Sequence, residues 1–249
     1  MATPLSLWEV YRAAFAGAIF TDLSHAFHPG QPRFSAFPDE ERQLVFDYPK
    51  GDAFQVHRYA FVGQWGTHVD PPVHFIEGGR AVDDLPVSDM LLPLVVLDIR
   101  EKVADSPDAN PELSDIVAWE ERNGRIPSGC FVALRTGWSS RWPDNERFYN
   151  RSADGVSHCP GWSRAVLEEL FEKRGIVAIG HEQIDTDPGM ATSKGDFSLE
   201  HYVLSRDRWQ VELLANLDGL PEAGALIMAS WPKAKGGSGF PARAVAIHR

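Results

Sequence analysis

Residues 64–74 read QWGTHVDPPVH, and this stretch constrains the fold and the chemistry of the chain more than any other. His68 and Asp70 are two positions apart, so on an extended strand their side chains point to the same side, with Cα atoms about 7 Å apart. The two prolines after Asp70 restrict φ and disfavour a helix before them. The spacing therefore predicts two ligands of one cation on a rigid segment, with His74 within reach of the same cavity. A buried turn in which His68 and Asp70 satisfy each other is the structural alternative.

The rest of the chain predicts a sheet with helices packed on it. Apolar runs rich in branched residues predict buried strands at 94–99, 131–135, 176–179, 225–228 and 242–247. Helical spacing of apolar residues predicts helices at 114–123 and 163–173. Ser114 is a candidate N-cap of the first helix, and Gly124 and Gly175 are candidate C-terminal stops. This order of elements predicts a mixed α/β domain with a central sheet.

The composition narrows the choice of partners. The 249-residue chain carries a formal net charge of -11, which argues against nucleic acid or an anionic membrane as a partner, since both need basic patches. Cys130 and Cys159 provide neither a disulfide framework nor metal-site spacing. Residues 1–18 are apolar but interrupted by charges, which predicts an amphipathic helix rather than a signal peptide. No stretch is long enough to span a membrane, and we therefore expect a cytoplasmic protein.

The 64–74 stretch resembles the signature of the cyclase family of metal-dependent hydrolases, the kynurenine formamidase-like and isatin hydrolase-like enzymes. The family pattern His-x-Gly-Thr-His-x-Asp-x-Pro-x-His is matched at every named position except the first, where this chain has Gln64. Further similarity follows in order along the chain, at 22–25, 75–79, 134–138, 179–182, 212–217 and 241–245. An ordered match of this length is hard to obtain by chance.

The resemblance implies a definite fold and assembly. The fold it implies is a swivelling β/β/α domain around a barrel-like mixed sheet, formed by a single domain over residues 1–249. It also implies a homodimer or homotetramer. Because the apolar face of helix 1–18 needs a surface to cover it, we expect this helix at the oligomer interface.

The predicted metal site combines the spacing with the resemblance. His68 and Asp70 are ligands on both grounds, and Glu212 matches a family Glu that binds metal. Gln64 stands where the family has a ligand His, so its amide oxygen either coordinates the ion or only bonds a neighbour. An oxygen-rich ligand set shifts the expected ion from Zn²⁺ towards Mn²⁺ or Mg²⁺. We expect one divalent ion per chain, Mn²⁺ or Zn²⁺.

Two histidines are candidates for proton transfer. His74 matches a general acid or base of the family, and imidazole exchanges protons near neutral pH. Orienting Asp70 is the alternative role for His74. Two-metal members of the family carry another His where this chain has Glu200. His201, next to Glu200, is therefore the second catalytic candidate, and this departure casts doubt on a second metal.

Candidates for substrate binding lie near the motif and after the 176–179 strand. Trp65 and Phe75 suit a flat apolar pocket, although core packing explains either residue singly. His181 and Glu182 follow a buried strand, a common position for site chemistry. Glu200 completes this group, because it takes the place of a family histidine.

These residues favour hydrolysis. A divalent metal polarises a carbonyl and lowers the pKa of a bound water. The resemblance implies a metal-dependent hydrolase that opens an amide, lactam, imide, lactone or ester bond of a small aromatic or cyclic substrate. A cyclase or dehydratase of a carbonyl substrate is the alternative enzyme. A non-catalytic homologue that has lost its metal is the alternative from another class, suggested by Gln64 and the displaced His201.

Overall fold

The computed structural model describes residues 5–249. The strands in this range are β1 Ile19–Asp22, β2 Glu41–Phe46, β3 Val56–Ala60, β4 His68–Asp70, β5 Leu91–Asp98, β6 Phe131–Arg135, β7 Ala178–His181, β8 Trp209–Glu212, β9 Ala225–Ser230, β10 Phe240–Pro241 and β11 Arg243–His248. The helices are α1 Leu7–Phe15, α2 Arg100–Asp105, α3 Leu113–Asn123, α4 Asn145–Tyr149, α5 Arg164–Glu168, α6 Gly189–Thr192 and α7 Ser198–Ser205. No helix among these is long and apolar enough to cross a membrane.

Nine strands form one mixed sheet in the order β1-β11-β9-β5-β6-β7-β8-β4-β10, and β2 and β3 form a separate hairpin. The four central strands β5 to β8 run parallel, and the strands on either side of them pair antiparallel. The sheet curls into a half-barrel. The predicted α/β class with a barrel-like mixed sheet is therefore confirmed.

The parallel strands are apolar on both faces because each face meets a different core. Leu94 of β5 belongs to a core that includes Trp209, whereas its neighbour Val95 belongs to a second core that includes Trp119 of α3. Successive side chains of a strand point to opposite faces, so a strand covered on both sides is a continuous apolar run. This explains why the central strands were predictable from the sequence.

The five predicted strands are confirmed as β5, β6, β7, β9 and β11, with ends that differ by a few residues at most. The short strands β1, β2, β3, β8 and β10 were not predicted, because their apolar runs are too brief or are interrupted by polar residues. The two predicted helices are present, but the second continues beyond α5 as a π-helix, Glu169–Arg174. Both predicted glycine stops have positive φ, 82° at Gly124 and 68° at Gly175.

Two predicted helix starts need correction. The N-cap of α3 is Glu112, two residues before Ser114, because Glu112 and Asp115 form a reciprocal capping box there. The predicted helix 1–18 is shorter: α1 begins after its N-cap Ser6 and ends before Gly17, whose φ of 75° leaves helical geometry. Residues 1–4 of the predicted span lie outside the described residues.

Candidate active site

Strand β4 places the motif side chains beside a carboxylate from β8. The two strands pair antiparallel, with His68 opposite Glu212 and Asp70 opposite Gln210. Residues directly opposite one another point to the same face of a sheet, and so do residues two apart on one strand. These four side chains therefore share one face, and all four are buried.

Three of these side chains converge as a metal site does. His68 Nε2 lies 3.2 Å from Asp70 Oδ2 and 3.5 Å from Glu212 Oε2. His68 Nδ1 donates to the backbone oxygen of Gly66 over 2.8 Å, which leaves the Nε2 lone pair of the neutral ring free. Within residues 5–249, neither His68 Nε2 nor Asp70 Oδ2 has a hydrogen-bond partner. Orphaned buried atoms that meet in this way fit a divalent cation held by His68, Asp70 and Glu212.

The charge of the site also fits a cation. Burial, together with neighbouring carboxylates, raises the pKa of Glu200 and of Glu212 well above the ordinary value. Burial likewise raises the pKa of Asp185 to about 7. Burial opposes ionisation of Asp70 as well, but His68, His74 and the hydrogen bond from Gln64 together outweigh it, and the pKa of Asp70 falls to about 2. Buried carboxylates that lie close together repel one another when they are ionised. A bound divalent ion stabilises their ionised forms most strongly in such a place.

Gln64 reaches Asp70 through its amide nitrogen. Gln64 Nε2 donates to Asp70 Oδ1 over 3.1 Å and to the backbone oxygen of Ser238 over 2.8 Å. Both partners are acceptors, so the atom that faces them is the nitrogen of the amide. Gly239 permits this approach, because a Cβ there would collide with Gln64 Nε2. Of the two roles predicted for Gln64, this geometry favours the hydrogen bond to a neighbour over coordination.

His74 stands at the edge of the cluster. Its Nε2 lies 3.8 Å from Glu200 Oε1, and its Nδ1 lies 3.4 Å from Gln64 Nε2. Asp70, His74 and Glu200 offer ligand atoms within 4.8 Å of one another, as do His68, Asp70 and Glu212. The two groups share Asp70, which puts His74 one carboxylate away from the candidate metal position. His74 is half-buried and lines a cavity, as a residue that exchanges protons with a substrate must.

Glu200 reaches the site and His201 does not. Both residues lie on α7, where successive side chains are about 100° apart around the helix axis. Glu200 is buried and accepts from Gln210 Nε2 over 3.1 Å, whereas His201 is exposed. The structure thus does not bring the second predicted catalytic residue to the cavity, because the helix turns it to solvent.

Two predicted substrate-binding residues lie behind the cavity wall. Trp65 is fully buried, and its Nε1 donates to Glu40 Oε2 over 3.2 Å. Glu182 is fully buried and accepts from the backbone N–H groups of Thr136 and Gly137 over 2.6 and 2.7 Å. Both side chains hold loops in place and neither lines the cavity beside His68, so the structure does not place them against a substrate.

His181 contacts a candidate ligand instead of the cavity. Its Nδ1 accepts from Trp162 Nε1 over 3.2 Å, so the neutral ring carries its proton on Nε2. His181 Nε2 lies 3.4 Å from Glu212 Oε1. Burial lowers the pKa of His181 to about 3, which keeps the ring neutral at physiological pH. His181 is therefore positioned to orient Glu212 rather than to bind substrate.

A cavity of about 300 Å³ opens above the cluster and is here called the inner cavity. His68, His74, Glu200 and Glu212 line one side of it. The other side is largely aromatic and consists of Phe34, Phe37, Phe75 and Phe197. Phe75 and Glu200 are thus the predicted substrate-binding residues that the structure places at the cavity. Aromatic walls beside polar groups suit a small flat substrate.

Several lining or supporting residues were not predicted. Gln210 Nε2 donates to Glu200 Oε1 and Glu212 Oε1 over 3.1 and 3.0 Å and so joins the two carboxylates. Its position two residues before Glu212 was a usable signal, because the two share a face of β8. Arg33 and Phe197 also line the cavity, but they come from loops with no periodicity to mark them.

Comparisons with known proteins agree with the motif. The family model described as a putative cyclase matches residues 21–188. Isatin hydrolase of Roseibium aggregatum is 34% identical over 216 residues, which cover 84% of this chain and 81% of that protein. Kynurenine formamidase of Salinibacter ruber is 27% identical over 186 residues, which cover 72% of this chain and 74% of that protein.

The fold comparison extends over the remaining site residues. The structure of isatin hydrolase A from Ralstonia solanacearum matches with a TM-score of 0.89 at 30% identity, covering 100% of this chain and 99% of that one. The family model includes β4 and His74 but ends before α7 and β8. The structural match therefore includes the segments that carry Glu200 and Glu212 as well.

Proposed function

Because this chain belongs to the putative cyclase family of metal-dependent hydrolases, we propose that it opens the ring amide of a small aromatic lactam such as isatin. The protein is a hydrolase of C–N amide bonds. The observation that carries the proposal is the buried convergence of His68, Asp70 and Glu212 beneath a cavity with aromatic walls. Isatin is a flat bicyclic amide, which matches the size and the walls of the inner cavity.

We propose that His68, Asp70 and Glu212 hold one divalent ion per chain. When bound, this ion supplies a Lewis acid that polarises the scissile carbonyl and lowers the pKa of water. The neighbouring side chains preorganise the ligands. Gln64 holds Asp70 Oδ1 and leaves Oδ2 free, while His181 and Gln210 lie against Glu212.

His74 is proposed as the proton-transfer group. It lines the inner cavity, and its Nε2 can take a proton from the attacking water and return it to the leaving amide nitrogen. Glu200 Oε1 lies 3.8 Å from His74 Nε2, and in its ionised form Glu200 stabilises the imidazolium that forms between the two transfers. Hydrolysis creates a carboxylate in an acidic cavity. Arg33, the one Lys or Arg side chain that lines the cavity among the described residues, offsets that charge.

The test of the function is hydrolysis of isatin by purified protein supplied with Mn²⁺ or Zn²⁺. Ring opening is expected and is followed by the change in absorbance, and excess chelator is expected to abolish it. Full turnover in excess chelator would show that hydrolysis does not require a metal. Dehydration or cyclisation of carbonyl substrates without amide hydrolysis would favour the alternative enzyme class, and metal-free binding without turnover would favour a non-catalytic homologue.

The identity of the metal is expected to depend on position 64. With His68 as the single nitrogen ligand, the proposed ligand set is mostly oxygen, and we expect Mn²⁺ to support activity at least as well as Zn²⁺. Gln64→His adds an imidazole beside Asp70 and should tighten zinc binding by roughly tenfold or more. Zinc titration of Gln64→His and of wild type measures this shift. Two zinc ions per native chain, with no change in Gln64→His, would contradict both the single-metal site and the role of Gln64.

We propose that a single domain over residues 1–249 assembles as a homodimer or homotetramer in the cytoplasm, with α1 at the interface. No residue of α1 is buried, and its apolar side chains include Leu7, Trp8 and Tyr11. Light scattering at micromolar concentration should give at least twice the chain mass of 27.7 kDa. Trp8→Glu should shift the protein towards monomer. Val87→Glu is the matched control, because Val87 is 81% exposed and Trp8 80%. A monomeric wild type would refute the assembly.

A further inference from the structure

A second cavity of about 500 Å³, here called the outer compartment, adjoins the inner cavity. Phe34, Ile184, Asp185 and Phe197 line both spaces. The rings of Phe34 and Phe197 meet edge to face, with centroids 5.8 Å apart. The two spaces therefore lie side by side, and these side chains form the boundary between them.

The loop of residues 33–37 borders both spaces. Within it, Arg33 and Phe37 line the inner cavity, Ser35 lines the outer compartment, and Phe34 lines both. The loop is tied to α4, because the backbone N–H of Arg33 donates to the Tyr149 hydroxyl over 3.1 Å. Tyr149 itself lines the outer compartment. This hydrogen bond therefore links Arg33, in the wall of the inner cavity, to Tyr149, in the wall of the outer compartment.

The outer compartment has a mixed wall, in which aromatic side chains stand beside polar ones such as Arg151 and Asp185, and it includes an unused acceptor. Trp138 and Phe148 form part of the wall, and Trp138 Nε1 is fixed by the backbone oxygen of Phe148 over 3.0 Å. Gln183 also lines this space and is almost completely buried. Its amide oxygen has no hydrogen-bond partner in the part of the chain that the structure describes.

The orientation of the Gln183 amide follows from its neighbours. The Thr136 hydroxyl donates to Glu182 Oε2 over 2.8 Å, so it can only accept from Gln183 Nε2, which lies 2.6 Å away. The amide nitrogen of Gln183 therefore donates to Thr136, and the amide oxygen is the atom without a hydrogen-bond partner among the described residues. A buried acceptor without a partner is costly. The oxygen itself has almost no exposed surface, so a donor on a ligand satisfies it only when neighbouring side chains of the compartment wall shift to admit that donor.

We propose that the outer compartment is an extension of the substrate site that takes an aromatic substituent bearing an N–H or O–H donor. The proposal rests on the proposed function, because the inner cavity must hold the reacting amide. A bicyclic lactam occupies the inner cavity alone, whereas a lactam with an attached aryl ring would place that ring beside the partly exposed Phe34, Tyr149 and Phe197. The enzyme would then act on biaryl lactams as well as on isatin.

The test compares isatin with isatins that carry a phenyl or a para-hydroxyphenyl group at each free carbon of the benzene ring. Ser35→Trp fills the outer compartment from its rim. Ala36→Trp is the matched control, because Ala36 is exposed and lines neither space. For at least one extended compound, we expect wild type and Ala36→Trp to show a kcat/KM within about tenfold of that for isatin. In Ser35→Trp, the ratio of the extended compound to isatin should fall at least about tenfold.

Gln183→Met examines the hydrogen bond separately. It should lower kcat/KM for the para-hydroxyphenyl compound about tenfold relative to the phenyl compound, because only the former has a donor to lose. Thermal unfolding reports whether this buried variant folds, and Ser35→Trp decides the proposal if it does not. An unchanged ratio in Ser35→Trp, or isatin turnover with every extended compound inert, would overturn the extended site.

Failure of the proposed function gives a different result. If wild type hydrolyses no compound in the series, including isatin, the lactam activity is wrong. Calorimetric titration with the same biaryl compounds then tests the compartment directly. Binding by Ala36→Trp that Ser35→Trp loses would support the extended site, and equal or absent binding in both would overturn it.

Discussion

His68→Ala is expected to lower kcat/KM for amide hydrolysis by about 10³-fold or more, through loss of the metal. His68 Nε2 is the single nitrogen in the proposed ligand set, and it lies within 3.5 Å of both Asp70 Oδ2 and Glu212 Oε2. Without it, two buried carboxylates remain with no imidazole to complete the site. The lost stabilisation of several kcal/mol is that expected of a Lewis acid on the reacting carbonyl.

Metal content per chain and kcat/KM measured on the same preparation check this prediction. His57→Ala is the control, because His57 lies on β3 and is exposed. It should retain the wild-type metal content. If His68→Ala still held one equivalent of metal and hydrolysed substrate, the metal site would not include His68 and would lie away from β4.

His74→Ala is expected to lower turnover by roughly 10²–10⁴-fold while the metal is retained. His74 is outside the group formed by His68, Asp70 and Glu212, but it lines the same cavity. Its removal therefore takes away proton transfer and leaves the proposed ligands intact. Metal content, and single-turnover rates at saturating substrate, separate the two effects.

The control for His74→Ala is His201→Ala. His201 is exposed on α7, so its substitution should leave turnover within about twofold of wild type. Weaker retention of the metal in His74→Ala, with turnover close to wild type once metal is added in excess, would make His74 a residue that orients Asp70. A fall from two metal ions per chain to one would instead make it a ligand of a second ion, together with Asp70 and Glu200.

The placement of His68 and Asp70 on one side of a strand was predictable because it depends on local geometry alone. A spacing of two on an extended segment puts both side chains on the same face whatever the rest of the chain does. The central strands were predictable for a similar reason, since burial on both faces leaves an uninterrupted apolar run. The likeness to a metal-dependent hydrolase family also followed from the order of the motif residues along the chain.

The placement of Trp65, Glu182 and His201 could not be read in the same way. Each is adjacent in sequence to a residue near the site, but adjacency does not determine which way a side chain points. Helix α7 turns Glu200 inward and His201 outward, while Trp65 is turned away from the cavity to meet Glu40. Glu182 is held by backbone N–H groups of the loop after β6. These outcomes depend on contacts with distant segments.

The sequence by itself determined the α/β class, the position of the motif strand and two of its candidate ligands, because these depend on periodicity and spacing within a few residues. The tertiary structure alone decided that β8 lies beside β4 and sets Glu212 opposite His68. It also decided that Gln64 presents nitrogen rather than oxygen to Asp70, since the backbone of Ser238 supplies the second acceptor. The physical reason is that hydrogen bonding between remote segments and the burial of several carboxylates together are properties of the packed chain. No local pattern contains them.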